Sequence, residues 1–167
     1  KVPLLDKIMH YIIKRKGKQM RPMFVFLSAK LCGKVTESTY ISASLIELLH
    51  TATLVHDDVV DEANFRRGFF SINALWKNKI AVLVGDFLFS RAFQLMTKYG
   101  NLPVLKILAD TSVMISEGEM LELSNDKDPT INENIYFEVI NGKTASLFSA
   151  ACQVGAMSAK ATKEKIE

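Results

Sequence analysis

Apolar residues recur at helical spacing along almost the whole of this 167-residue chain. Leu4, Ile8, Tyr11 and Ile12 make a first stripe that ends at Gly17. Pro22 suits the first turn of a second helix running to Cys32-Gly33. A third helix, capped by Thr36 or Ser38, carries Ile41, Leu45, Leu48, Leu49, Ala52, Val55 and Val59 on its apolar side. After an arginine-rich connection, Ser71 to Trp76 predicts a short helical turn leading into Ile80 to Tyr99, closed by Gly100. Pro103 opens a helix through about Leu123, and Asn125-Asp126-Lys127-Asp128-Pro129 is a loop. Asn132 or Asn134 starts a helix that continues through Lys143 to Ala159, and a last one begins near Thr162. No run alternates with period two long enough to demand a strand, and no repeat stands out. The pattern predicts an all-α fold.

Composition agrees with one compact unit over residues 1–167. The chain is 49% hydrophobic, enough for a substantial core, and its 8 Gly and 4 Pro are too few for a turn-rich all-β chain. The formal charge of +3 is mild and the basic residues are scattered, which gives no footprint for nucleic acid. Cys32 and Cys152 lie in apolar stretches and read as reduced core residues. Neither a signal peptide nor an apolar run long enough to span a bilayer is expected, since the most apolar segment, Ile80 to Phe89, contains Asp86. A cytoplasmic protein, not integral to the membrane, follows as the expectation. Trp76, the methionines and most phenylalanines are expected in the core, with Asp86 as a buried, hydrogen-bonded aspartate.

Candidate chemistry begins where the third helix turns acidic, in Val55-His56-Asp57-Asp58-Val59-Val60-Asp61-Glu62, with Arg66-Arg67-Gly68 close behind. Three carboxylates on an otherwise apolar helix repel one another unless cations neutralise them. At ~100° per residue, Asp57 and Asp61 lie on one face about 6 Å apart, while Asp58 points aside. Two carboxylates so placed can share a hard divalent cation such as Mg²⁺, which keeps waters and phosphates in its other positions. Asp58 is then better placed to orient an arginine or a water. Planar arginine forks suit diphosphate oxygens. A solvated acidic helix end would give the same three letters.

Other charged sites allow two readings each. Lys18 and Arg21 surround a helix start, where free backbone N–H groups and the dipole favour an anion; an ordinary basic turn looks the same. Gly142 breaks a helical pattern beside Lys143 and Thr144, and a local distortion there can aim a carbonyl and the Thr144 hydroxyl at developing positive charge. A tolerated glycine with a surface lysine is the alternative. His50, two turns before Asp57, is either an anion donor or a satisfied core histidine. His56 and Asp57 diverge by ~100°, so they need partners from elsewhere to close a metal site.

In this order, Gly17-Lys18-x-x-Arg21-Pro22, Asp57-Asp58-x-x-Asp61 with Arg66-Arg67-Gly68, Val84-Gly85-Asp86 and Gly142-Lys143-Thr144 resemble the trans-isoprenyl diphosphate synthases, the polyprenyl synthetase family. The stretch His50 to Ala63 is most similar to the long-chain members. The resemblance implies an antiparallel all-α helical bundle of the isoprenoid synthase type, a homodimer, and prenyl transfer between isopentenyl diphosphate and an allylic diphosphate. It places Mg²⁺ on Asp57, Asp61 and Asp58, and the allylic diphosphate on Arg66 and Lys143. Lys18, Arg21, His50 and Arg67 would bind isopentenyl diphosphate, with Lys143 and Thr144 beside the reacting carbons.

Two departures from the family pattern matter. Lys16 stands where the family commonly has a first glycine, and no second aspartate-rich motif follows Lys143. The segment therefore resembles the N-terminal half of a longer enzyme, incomplete at its C-terminus and not expected to turn over alone. Ala52 and Thr53 lie five and four residues before Asp57, ~6–7.5 Å down the axis, where a growing tail must pass; their small size predicts a long product. A deeper floor near Met114 is expected. A non-catalytic subunit of a heteromeric synthase and a terpene cyclase are the alternatives. A His-Asp phosphohydrolase lacks its spaced histidines, since only His10 and His50 accompany His56.

Overall fold

A computed structural model of the chain describes residues 2–15, 17–99, 102–126 and 132–166. Its elements are α1 (Pro3–Lys14), α2 (Met20–Cys32), α3 (Glu37–Val60), β1 (Phe65–Arg66), β2 (Phe69–Phe70), α4 (Ile72–Trp76), α5 (Asn78–Tyr99), α6 (Leu102–Asn125), α7 (Glu133–Ile140), a π-helical turn (Asn141–Ala145), α8 (Ser146–Ser158) and α9 (Lys163–Ile166). The all-α expectation holds. The expected stop at Gly100 lies outside the described residues, as does the expected loop after Asp126, whose first residue, Asn125, instead ends α6.

Local chemistry sets the helix starts. Pro3 opens α1, where its missing N–H is no loss. Before α3, the Thr36 N–H donates to Thr39 Oγ1 at 3.0 Å, half of a capping box with threonine in the usual glutamate place. Ser71 and Asn132 accept from Ala74 N and Ile135 N, the N-cap bonds of α4 and α7.

The chain divides into two compact units, with α3 contributing to both. The first comprises Lys1–Gln19 and Glu47–Leu95. Its core gathers Ile8, Ala52, Val55, Ile72, Ala81, Val84 and Leu88, with Tyr11, Leu48 and Trp76 packed around them. Tyr11 meets Trp76 edge-on at 5.2 Å. Each large aliphatic buried here contributes about 1.5–3 kcal/mol. Gly85 lets α5 reach His56, since a β-carbon there would overlap the imidazole.

The second unit comprises Met20–Ile46 and Met96–Glu167. Here α2 packs along α8, and α6 packs against the π turn and α8. Val25, Ala29, Leu147, Ala150, Ala151 and Val154 are buried. Thr39, fully buried, shares a 2.7 Å hydrogen bond with Ser158 Oγ, while Thr36 Oγ1 donates to Ser158 O at 3.2 Å. The buried hydroxyls are thus satisfied.

Several expectations need correction. Asp86 is not buried: its side chain is 61% exposed and lies 3.4 Å from His56 Nε2. Phe65, Phe69, Phe70, Phe93 and Phe137 are exposed rather than in the core, as are Met20, Met23, Met114 and Met120. Helix α5 is long and apolar enough, by length and composition alone, to cross a membrane, although its Ala81, Val84, Gly85, Leu88 and Ala92 are buried within the fold. Cys32 and Cys152 are free thiols, each half-buried.

Candidate active site

The acidic run sits at the C-terminal end of α3, the negative end of the helix dipole, and the last turn holds no basic residue. Ala63 N donates to Asp58 O at 3.0 Å and Glu62 N to Val59 O at 3.3 Å, with Glu62 left-handed at φ 49°. That is a Schellman closure, made here without glycine. Asn73 Nδ2 donates to Asp58 O at 3.1 Å and to Ala63 O at 3.0 Å, and Ser71 Oγ to Ala63 O at 2.6 Å. Helix α4 therefore fixes the end of α3.

Within this frame the three aspartates differ. Asp58 is buried at 3% exposure and accepts from Arg66 Nε at 2.6 Å. Burial pushes its carboxyl above the usual aspartate value; the Arg66 hydrogen bond and charge pull it back, and the Asp61 charge adds a further rise. Asp57 is half-buried and Asp61 exposed, and Asp61 N bonds Asp57 O at 2.8 Å across one turn. Among the described residues no three His, Cys, Asp or Glu side chains converge into a full metal-ligand set. The donor chemistry nonetheless fits a hard divalent cation completed by phosphate and water. Carboxylates a turn apart at a negative helix end offer oxygen ligands and an excess of negative charge.

The two arginines lie on a hairpin. Phe65 pairs with Phe70 and Arg66 with Phe69, leaving Arg67-Gly68 as a two-residue turn with φ 53° and 81°. Positive φ at both positions defines a type I′ turn. It holds Arg66 on the strand, tied to Asp58, and presents Arg67 at the tip, against Gly17. Tyr11 Oη donates to Phe70 O at 2.6 Å, and the Arg15 guanidinium sits 3.5 Å over the Tyr11 ring and 4.6 Å over Phe69. These contacts hold the end of α1 beside the hairpin; Lys18 is exposed. His50 is half-buried, and its carbonyl accepts from Thr53 Oγ1 at 2.9 Å. Ala52 is fully buried in the core rather than lining open space.

In the second unit, the expected distortion at Gly142 is a π-helical turn. A β-carbon on Gly118 would lie 2.8 Å from Lys143 N, and one on Gly142 2.9 Å from Met114 O. The two glycines thus let α6 and the π turn close backbone to backbone. Lys143 Nζ then reaches Glu119 at 3.1 and 3.0 Å from its two oxygens, and also Glu122. Burial alone would lower the lysine, but hydrogen bonds and charge from Glu122 and Glu119 outweigh it and hold the ammonium well above the ordinary value. Thr144 is exposed. Arg21 lies 4.7 Å over the Phe148 ring of α8. Met114 is partly exposed, and its carbonyl faces Gly142.

The first unit therefore gathers Asp57, Asp58, Asp61, Arg66, Arg67, Lys18, His50, Ala52 and Thr53, and the second holds Arg21, Lys143 and Thr144. Glu119, Glu122 and the His56–Asp86 pair were not singled out from sequence as partners. Glu119 and Glu122 stand three apart on one helix, a spacing that puts both on one side. The cation they face is 21 residues or more away and carried no such hint.

A family model described as polyprenyl synthetase matches residues 2–167. The octaprenyl diphosphate synthase of Escherichia coli (strain K12) is 46% identical over 164 residues, 98% of this chain and 51% of that protein. A crystal structure of a decaprenyl diphosphate synthase from Rhodobacter capsulatus superposes with a TM-score of 0.94 at 46% identity, over 98% of this chain and 50% of that one. A polyprenyl synthase from Caulobacter crescentus CB15, complexed with calcium and isoprenyl diphosphate, gives 0.95 at 40% identity, over 99% and 51%. The chain spans about half the length of the relatives it matches.

Proposed function

The chain belongs to the polyprenyl synthetase family, and on that premise we propose that its protein condenses isopentenyl diphosphate with an allylic diphosphate to make a long-chain polyprenyl diphosphate. The observation that carries this is the end of α3, where Asp57 and Asp61 flank a helix end and Asp58 fixes Arg66 on the following hairpin. Carboxylates for a cation and arginines for phosphate oxygens are thus set side by side.

The residues divide the work. Asp57 and Asp61 would hold Mg²⁺, with Asp58 in support through Arg66. When bound, the metal withdraws charge from diphosphate oxygens and eases departure of pyrophosphate. Arg66 and Lys143 grip the allylic diphosphate, so the charge that develops as the carbon–oxygen bond breaks falls on fixed cations. Lys18, Arg21, His50 and Arg67 bind the second diphosphate, which holds the isopentenyl double bond against the allylic carbon. The Thr144 hydroxyl, within the π turn, offers its oxygen dipole to the positive charge that forms. Pyrophosphate accepts the proton lost at the end, and the product is longer by one isoprene unit.

The same reading makes the chain one domain, the N-terminal portion of a larger catalytic domain in a cytoplasmic homodimer. The family model, which runs without a break over residues 2–167, supports the single domain. The 167-residue piece alone is then inactive. Incubating the full-length protein with isopentenyl diphosphate, farnesyl diphosphate and Mg²⁺ tests the proposal. Long-chain polyprenyl diphosphates are expected; a cyclic hydrocarbon, or no transfer at all, would refute it. Normal turnover by the 167-residue piece would refute its dependence on further chain.

A further inference from the structure

Lys143 is not presented to solvent as a bare cation. Its ammonium meets both oxygens of Glu119 and one of Glu122, so one positive charge faces two carboxylates. With both glutamates ionised the group carries a net charge of minus one. An incoming diphosphate would be repelled by that group, not drawn to it. The two carboxylates differ, however. The Glu119 side chain is 13% exposed and lies beside Gly118 at the close contact with the π turn, whereas that of Glu122 is 45% exposed, one turn further along α6.

From this asymmetry we infer that Glu122 occupies Lys143 in the free protein and is displaced by the substrate diphosphate, while Glu119 remains as the fixed partner that positions the ammonium. The inference rests on the assignment of Lys143 to the allylic diphosphate. Its physical basis is exchange of like for like. A carboxylate on Lys143 Nζ gives way to a phosphate oxygen of higher charge, and the half-exposed glutamate regains water when it leaves. Glu119, nearly buried, has no such solvent to return to and holds Lys143 in both states. Glu119 is thus the positioning residue, and Glu122 sets substrate affinity by competing for Lys143.

Calorimetric binding of farnesyl diphosphate to the full-length protein in Mg²⁺ tests this. Glu122→Gln, close in shape but uncharged, should bind about two- to fivefold more tightly, the size of one partly exposed ion pair. Glu122→Asp, which keeps the charge, should stay near wild type. In a Lys143→Ala background the gain from Glu122→Gln should vanish, because nothing remains to compete for. Equal or weaker binding by Glu122→Gln, or a gain that survives without Lys143, overturns the displacement. Undiminished binding by Lys143→Ala alone would instead overturn the assignment of Lys143 itself, a separate failure.

Discussion

Gly17 lies against Arg67 so closely that a β-carbon at position 17 would occupy the space of Arg67 Nη1. Two motifs separated by fifty residues meet at this point, and the absence of a side chain at one positions the guanidinium of the other. Gly17→Ala must therefore push Arg67 off its place. Because Arg67 is exposed at a hairpin tip, the fold should absorb the change. Thermal midpoints should move little, while isopentenyl diphosphate binding weakens by about tenfold or more, the loss of one charge-assisted hydrogen bond. Unchanged binding in a calorimetric titration would detach Arg67 from that substrate.

Arg67 itself is held in a conformation that side chains with a β-carbon rarely adopt, at φ 53° in a type I′ turn. Asparagine is at ease there. Arg67→Asn should raise stability by about 0.5–1 kcal/mol while abolishing the contribution of the guanidinium to diphosphate binding. Urea unfolding and ligand titration on the same variant check both signs. A variant that loses stability would mean the turn is not strained by arginine.

The ion pairs of Lys143 give a pH dependence whose sign is fixed. They hold its ammonium above the ordinary lysine value of 10.5, so the folded state keeps a proton that the unfolded state releases first. The stability they contribute is complete below pH 10.5 and is lost as pH rises through the raised folded value. Denaturant unfolding of wild type and Lys143→Met across alkaline pH should show a difference that is flat at neutral pH and shrinks above that point. A difference that grows with alkalinity would contradict the pairing.

Ala52 is fully buried among Ile8, Val55, Ile72 and Ala81 rather than beside open space. A phenylalanine there has to displace packed neighbours, at a cost of about 1–3 kcal/mol. In the full-length protein, Ala52→Phe should lower the thermal midpoint and shorten the products seen by chromatography. Shorter products without a stability loss would mean the site has room in the assembled enzyme. Full-length products from a destabilised variant would remove Ala52 from the length-setting wall.

Much of the architecture was legible in the residues. The hydroxyl and Asx signals at Ser71 and Asn132 act on their nearest neighbours, so the helix starts they set can be read locally. The separation of Asp58 from Asp57 and Asp61 was equally legible, because 100° per residue is a property of one helix. The hairpin was not, because two-residue strands show no alternation and its turn is made by arginine in place of the usual Asn-Gly. Asp86 was expected to be buried because it sits in an apolar run. Its side of α5 faces outward, and hydropathy along a sequence does not say which side that is.

The helices, the acidic end of α3 with its arginines, and the break at Gly142 can all be read along the chain, since each depends on residues within a turn or two. Tertiary structure alone decided which distant groups each charge meets. Gly17 receives Arg67, Gly85 admits His56, and Gly118 with Gly142 lets Glu119 and Glu122 close on Lys143. In each case a backbone without a side chain lets another element approach. That permission leaves no periodic trace in the chain, because it depends on what packing brings near, not on what lies next in sequence.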